Sequence, residues 1–284
     1  MDIRDSWWTK LWRAECHLKY VNREMRRYSG RNPYRVVRVV READDERNVW
    51  QYNLVVTDRP DPMLSAMIGD CVHDIRCALD HVVTAHVPPK FSRASNFPIR
   101  LKDPWEKNAD GGFVYPDKER AGFNGAIEGL GERATALIKA LQPYASHFDP
   151  MLDHLAIVNE LDNSDKHRQI TTLLEGIEGV STRVLLRGVD ITDDLRRNNS
   201  ILDTDGMVAP GTPVTRFRLL DPTIMEPDVD VKVEGTAKVA IRVEKFERNF
   251  ETLETLRSII NYVGDNVLIP LLQAVKEDAV PKGT

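Results

Sequence analysis

With successive residues set about 100° apart around a helix axis, Trp7, Leu11, Ala14, Leu18, Val21 and Met25 fall on one stripe. That spacing predicts an amphipathic helix from Ser6 to Tyr28, with Ser6 as its N-cap and the Trp7–Trp8 pair in the core. Val-rich runs at Tyr34–Glu42 and Val49–Thr57 read as strands, and the polar stretch 43–48 between them has the composition of a hairpin turn. From Met63 to Val87 the stripe Leu64, Ile68, Cys71, Ile75, Ala78 and Val82 marks the best-defined helix, which stops before Pro88-Pro89. Between Lys90 and Gly131 the apolar period fades and Pro98, Pro104 and Pro116 interrupt it, so this stretch reads as loop with one short helical piece.

Helices are expected again over Glu132–Leu141 and from Pro150 to about Asp165. The chain then becomes β-like, with strand composition at Arg183–Leu186, Val214–Leu220, Val229–Val233 and Lys238–Val243. An antiparallel sheet follows from this, with room in it for the first hairpin. Phe250, Leu253, Leu256, Ile260, Val263 and Val267 define a long closing helix that Pro270 should bend near its end. The predicted fold class is therefore α+β, a helical bundle with an antiparallel β-rich portion. Residues 1–168 form a helical bundle with an N-terminal β-hairpin, 169–245 a β-rich insertion, and 246–284 the C-terminal helix completing the bundle.

Composition narrows the class. A chain of 284 residues, 42% hydrophobic and 29% charged, can bury a core without staples and reads as a folded soluble protein. Its formal net charge of −5 offers no global basic field for nucleic acid. Locally the balance reverses, because Arg23, Arg26, Arg27, Arg31, Arg35, Arg38 and Arg41 face a single acid, Glu24. The three cysteines, without CxxC spacing, suit a reducing compartment, so the cytoplasm is the expected location. Neither the start MDIRDSWWTK nor any later run has the apolar length of a signal or membrane segment, and no membrane association is expected.

No GxxxxGK[ST], GxSxG, HExxH or paired CxxC occurs, so no cofactor is expected. Gly129-Leu130-Gly131-Glu132-Arg133-Ala134 matches G-x-G-x-x-A but lacks a βαβ setting, and reads as a flexible helix start. The segment from Gly69 to His81 is more informative. Opposite Ile75 the helix carries Arg76, Asp80, His73, Cys77, Asp70, His81 and Asp74 on one polar arc. Two histidines, a cysteine and short aspartates suit a site or an interface better than a solvated face, which usually carries Lys and Glu.

Arg76 and His81 form R-x4-H, and on an amphipathic helix this resembles the HEPN superfamily of helical ribonucleases. The resemblance implies a helical bundle that dimerises to join two such motifs and cleaves RNA without metal. It implies His81 as general base on a ribose 2′-hydroxyl, Arg76 stabilising the pentavalent phosphate and Asp80 orienting Arg76. RNA would be the partner, with Arg23, Arg26, Arg27, Arg31, Arg35 and Arg38 as its basic edge. More widely, ALDH at Ala78–His81, FPI at Phe97–Ile99, LQPY at Leu141–Tyr144 and DKHR at Asp165–Arg168 resemble a group of uncharacterised bacterial proteins, which implies an architecture and no reaction.

Three other readings stay open. Arg76 and Asp80 can form an i, i+4 ion pair beside a half-buried His81. On the helix from Pro150, His154, Asn159 and Asp162 share a sector with apolar residues and call for polar partners on another helix, while Asp165, Lys166, His167 and Arg168 cluster at its end. His154 with that cluster is either helix-end chemistry or the second half of an active site. Finally, His73, Cys77 and His81 follow at i, i+4 and i+8, but the outer two lie about 12 Å apart along the axis, so a metal would need His154 or His167 as well. The alternatives to a ribonuclease are thus a noncatalytic binding or assembly protein and a metal-binding helical bundle.

Overall fold

A computed structural model describes residues 6–40, 48–167, 169–198, 201–203, 206–221 and 223–279. Arg41, most of the predicted 43–48 turn and Arg168 lie outside the described residues. The fold is α+β, with helices and antiparallel sheets along the chain. The chain separates into two units, one of Met1–Asn22, Ser65–Thr171 and Arg242–Thr284, the other of Arg23–Leu64 and Thr172–Ile241. The first hairpin belongs with the later strands and not with the helices of residues 1–168.

Helix α1 (Ser6–Ser29) buries Leu11, Ala14, Val21, Met25 and Tyr28, as its apolar stripe requires. Its tryptophans depart from expectation. Trp8 is 57% exposed and packs edge-on against the half-buried Trp7. Adjacent helical residues point about 100° apart, so a consecutive pair cannot both face one core.

In the second unit, β1 (Tyr34–Val39) pairs antiparallel with β2 (Val49–Val56). Later along the chain come β3 (Thr171–Leu186), β4 (Val189–Asp190), β5 (Ile201–Asp203), β6 (Pro213–Arg218), β7 (Val229–Val243) and β8 (Arg248–Glu251). One sheet has the order β1-β2-β6-β5, the other β4-β3-β7-β8. Trp50 and Tyr52 stack on Phe217 in an apolar cluster with Val184, Leu195, Val229 and Val231. Strands β3 and β7 run far longer than the short pieces expected from composition. Glycines lie inside both: a Cβ at Gly176 would stand 2.4 Å from the Val208 carbonyl oxygen, so glycine here permits close backbone approach.

The first unit holds α2 (Pro62–Thr84), α3 (Asp117–Ala126), α4 (Glu132–Ala140) and α5 (His154–His167). The short α6 (Thr192–Arg197) belongs to the second unit, while α7 (Thr252–Tyr262) and α8 (Ile269–Ala279) close the first. Between α7 and α8 a π-helical stretch, Val263–Leu268, precedes Pro270. Proline has no N–H and crowds the carbonyl one turn back, and the widened turn lets the helix run on to Ala279. On α2, Leu64, Ile68, Cys71, Val72, Ile75, Ala78, Leu79, Val82 and Val83 are all at most 2% exposed, so Ile75 does sit at the centre of the buried face.

Candidate functional site

The polar arc of α2 is divided among different neighbours. Arg76 and Asp80, one turn apart, grip an extended segment: Arg76 Nη2 donates to the Phe97 carbonyl at 2.7 Å and lies 2.9 Å from Asp80 Oδ1, which accepts the Phe97 N–H at 2.9 Å. Arg76 Nη1 is buried without a hydrogen-bond partner. Further along the segment, the Gln142 side chain, 1% exposed, donates to the Pro98 carbonyl at 2.8 Å and accepts the Arg100 N–H at 2.9 Å. Parts of ALDH, FPI and LQPY therefore meet in one clamp that satisfies the backbone of a strand-like segment outside any sheet. Burial raises the Asp80 carboxyl's pKa, and the Arg76 guanidinium opposes it.

Asp74 turns to α1. It is 2% exposed, with Lys10 Nζ at 2.8 Å, Arg13 Nε at 3.3 Å and His17 Nε2 at 3.4 Å. All three cations around Asp74 come from α1. The i, i+3, i+7 spacing of Lys10, Arg13 and His17 was the overlooked sequence signal.

His81 lines a cavity of about 480 Å³ with Ser6, Thr84, Ala85, Val87, Pro89 and Ser92. Its Nδ1 is 3.0 Å from Ser6 Oγ, an interaction between α1 and α2 that the N-cap expectation did not include. Burial first, and the Lys10 charge second, lower the His81 pKa and favour neutral imidazole. Arg76 is not among the residues lining this cavity.

His73 and Cys77 face α5. His73 Nδ1 lies 3.2 Å from Asp162 Oδ1, His73 Nε2 lies 3.3 Å from Cys77 Sγ, and Lys166 Nζ donates to Asp162 Oδ2 at 2.6 Å. Next to them, an added Cβ at Gly69 would fall 2.2 Å from Asp165 Oδ1, so the absence of a side chain admits that carboxylate. Burial, then Asp70 and Asp162, raise the Asp165 pKa.

The proposed second half is therefore dispersed. Asp165 and Lys166 come to α2, whereas His154 stacks on Tyr262 and bonds Ser258 Oγ at 2.7 Å on α7. The polar partners expected for His154 and Asp162 on other helices are thus present as Ser258 and His73. His167 ends α5, but its side chain, like Arg168, lies outside the described residues.

Of the basic edge, Arg26 and Arg35 are exposed, while Arg23 and Arg27 contact Glu24 and Arg31 reaches Asp58 at 3.4 Å. Arg38 lies 3.7 Å over the Trp50 ring with its side chain 15% exposed, packed into the fold more than offered to a ligand. Among the described residues, no group of three or more His, Cys, Asp or Glu is arranged to hold a metal ion. No helix among them is long and apolar enough to cross a membrane. At the G-x-G-x-x-A motif, the Asp278 carboxylate accepts the Arg133 and Ala134 N–H groups at the start of α4, where a pyrophosphate would otherwise sit. No family model matches the chain, and no curated protein or solved structure matches it.

Proposed function

We propose that the chain is a HEPN-like, metal-independent endoribonuclease with His81 as its general base. The observation that supports this reading is a neutral-favoured imidazole on the wall of an open cavity, its Nδ1 held by Ser6 so that Nε2 is the nitrogen left for a substrate. His81 Nε2 takes the proton of a ribose 2′-hydroxyl, the 2′-oxygen attacks phosphorus, the bond to the 5′-oxygen breaks, and that oxygen recovers a proton from His81 by way of solvent, leaving a 2′,3′-cyclic phosphate and a 5′-hydroxyl. Arg76 serves as a positioning residue in this reading, because its guanidinium holds Phe97; the cation whose field reaches His81 is Lys10.

The test is cleavage of RNA in EDTA. The parent should yield 2′,3′-cyclic phosphate ends, and His81→Ala should lose about 10² to 10⁴ in rate while its stability falls by no more than about 1 to 2 kcal/mol. Unaltered cleavage by folded His81→Ala, or a strict metal requirement, would end the reading. Light scattering should give a homodimer of twice 32.3 kDa.

A second reading, a noncatalytic assembly protein, is favoured by Trp8 and Trp12, one turn apart on α1 and each 57% exposed. If α1 is an assembly surface, Trp8→Ala with Trp12→Ala should abolish self-association and leave the melting temperature near the parent's.

A further inference from the structure

We propose that Cys77, His73 and Asp162 form a thiol site for acyl transfer, which takes an acyl group from small activated esters or thioesters and passes it to water. None of the three residues is used by the ribonuclease reading, and the two proposals stand or fall separately.

The geometry is that of a nucleophile, a base and an orienting carboxylate in line. Cys77 and His73 are one turn apart on α2, so the helix itself sets the 3.3 Å from Sγ to Nε2. On the far side of the ring, Nδ1 meets Asp162 Oδ1 at 3.2 Å. Asp162 is 2% exposed, and its second oxygen is held by Lys166 at 2.6 Å, so the carboxylate cannot turn away. With Nδ1–H donated to the carboxylate, Nε2 carries the lone pair that faces the thiol, the tautomer a general base requires. The two ring nitrogens point at opposite partners, so the three side chains cannot converge on one ion. His73 has its side chain 51% exposed, which opens the site to solutes.

The other cysteines differ. Cys71 is fully buried, donates to the Ala14 carbonyl at 3.3 Å, and has its thiol pushed up to about 12 by burial. Cys16 is half-buried, with no imidazole bonded to it among the described contacts. Burial also raises the Cys77 thiol, against the pull of the Lys10 charge, so Cys77 rests protonated and depends on His73 to remove the proton during attack.

In the forward step Cys77 Sγ bonds to the acyl carbon, its proton passes to His73 Nε2, the ester C–O bond breaks and the leaving oxygen takes the proton. Water then attacks the thioester, gives its proton to His73, and the C–S bond breaks to restore the thiol with release of a carboxylic acid. No oxidant or reductant enters.

The full chain should be mixed with p-nitrophenyl acetate, with p-nitrophenol release followed by absorbance and acetylation located by peptide mass mapping. Acetylation of Cys77 should outpace that of Cys16 in the same chain, and the difference should vanish in urea. His73→Ala and His73→Gln should each slow it by about 10² or more, and Cys77→Ser should remove the adduct. Asp162→Asn should give a smaller loss; being buried, it is read only alongside a parent-like melt. The proposal is overturned if Cys77 in the native chain reacts no faster than Cys16, or if both His73 variants acylate at the parent rate.

Discussion

Replacing Arg76 with Ala removes a side chain that donates to the Phe97 carbonyl, and the cost can be worked from the clamp. The lost hydrogen bond is charge-assisted, 2.7 Å long and made by a side chain 12% exposed, so it contributes about 1.5 to 3 kcal/mol. The pair with Asp80, itself 32% exposed, adds no more than about 1 kcal/mol. Arg76→Ala should therefore destabilise by about 2 to 4 kcal/mol, with each kcal/mol lowering the melting temperature by about 2 to 4 °C. Asp80→Asn keeps an oxygen for the Phe97 N–H and loses only charge, so it should cost about 1 kcal/mol. Thermal melts of the parent and both variants measure this order directly. An Arg76→Ala protein that melts within about 1 °C of the parent, or an Asp80→Asn protein that is the less stable of the two, would refute the clamp. If Arg76→Ala kept the parent melt and lost RNA cleavage, the guanidinium would act on phosphate after all.

Because the His81 pKa is lowered in the fold, the unfolded chain binds the extra proton first as pH falls below about 6.5, and stability drops with it. The stability lost between neutral pH and mildly acidic pH should thus be smaller in His81→Gln than in the parent, as read by urea titration; an equal loss would remove His81 as the cause. The acid limb of the cleavage profile should likewise lie below pH 6.5, and a limb above it would exclude His81 as the base. Gly69→Ala should change stability by less than about 1 kcal/mol, since its methyl displaces only the exposed end of Asp165 while alanine favours the helix by about 1 kcal/mol; a thermal melt showing a loss above about 2 kcal/mol would mean that the carboxylate cannot move aside.

Helical periodicity is local, set by about 100° per residue, and so the buried stripe of α2 centred on Ile75, the stripe of α1 and the polar arc from Asp70 to His81 were all legible in the sequence. The α+β class was legible for the same reason, through the switch from helical spacing to Val-rich strand runs. What the polar arc meets was not, because its partners are remote in the chain: Lys10 lies 64 residues from Asp74, Asp162 lies 89 from His73, and Gln142 lies 44 from Pro98. Each is an ordinary polar residue in its own segment, and its local sequence does not say which distant group it will meet. Strand length was hidden for a related reason, since the place of Gly176 within β3 depends on the Val208 backbone packed against it. Periodicity along α1 and α2 settles which side of the helix is dry, whereas the packing of one segment on another settles that Arg76 holds a backbone while His73, Cys77 and Asp162 come into line, because an apolar stripe belongs to one helix and the pairing of remote side chains belongs to two.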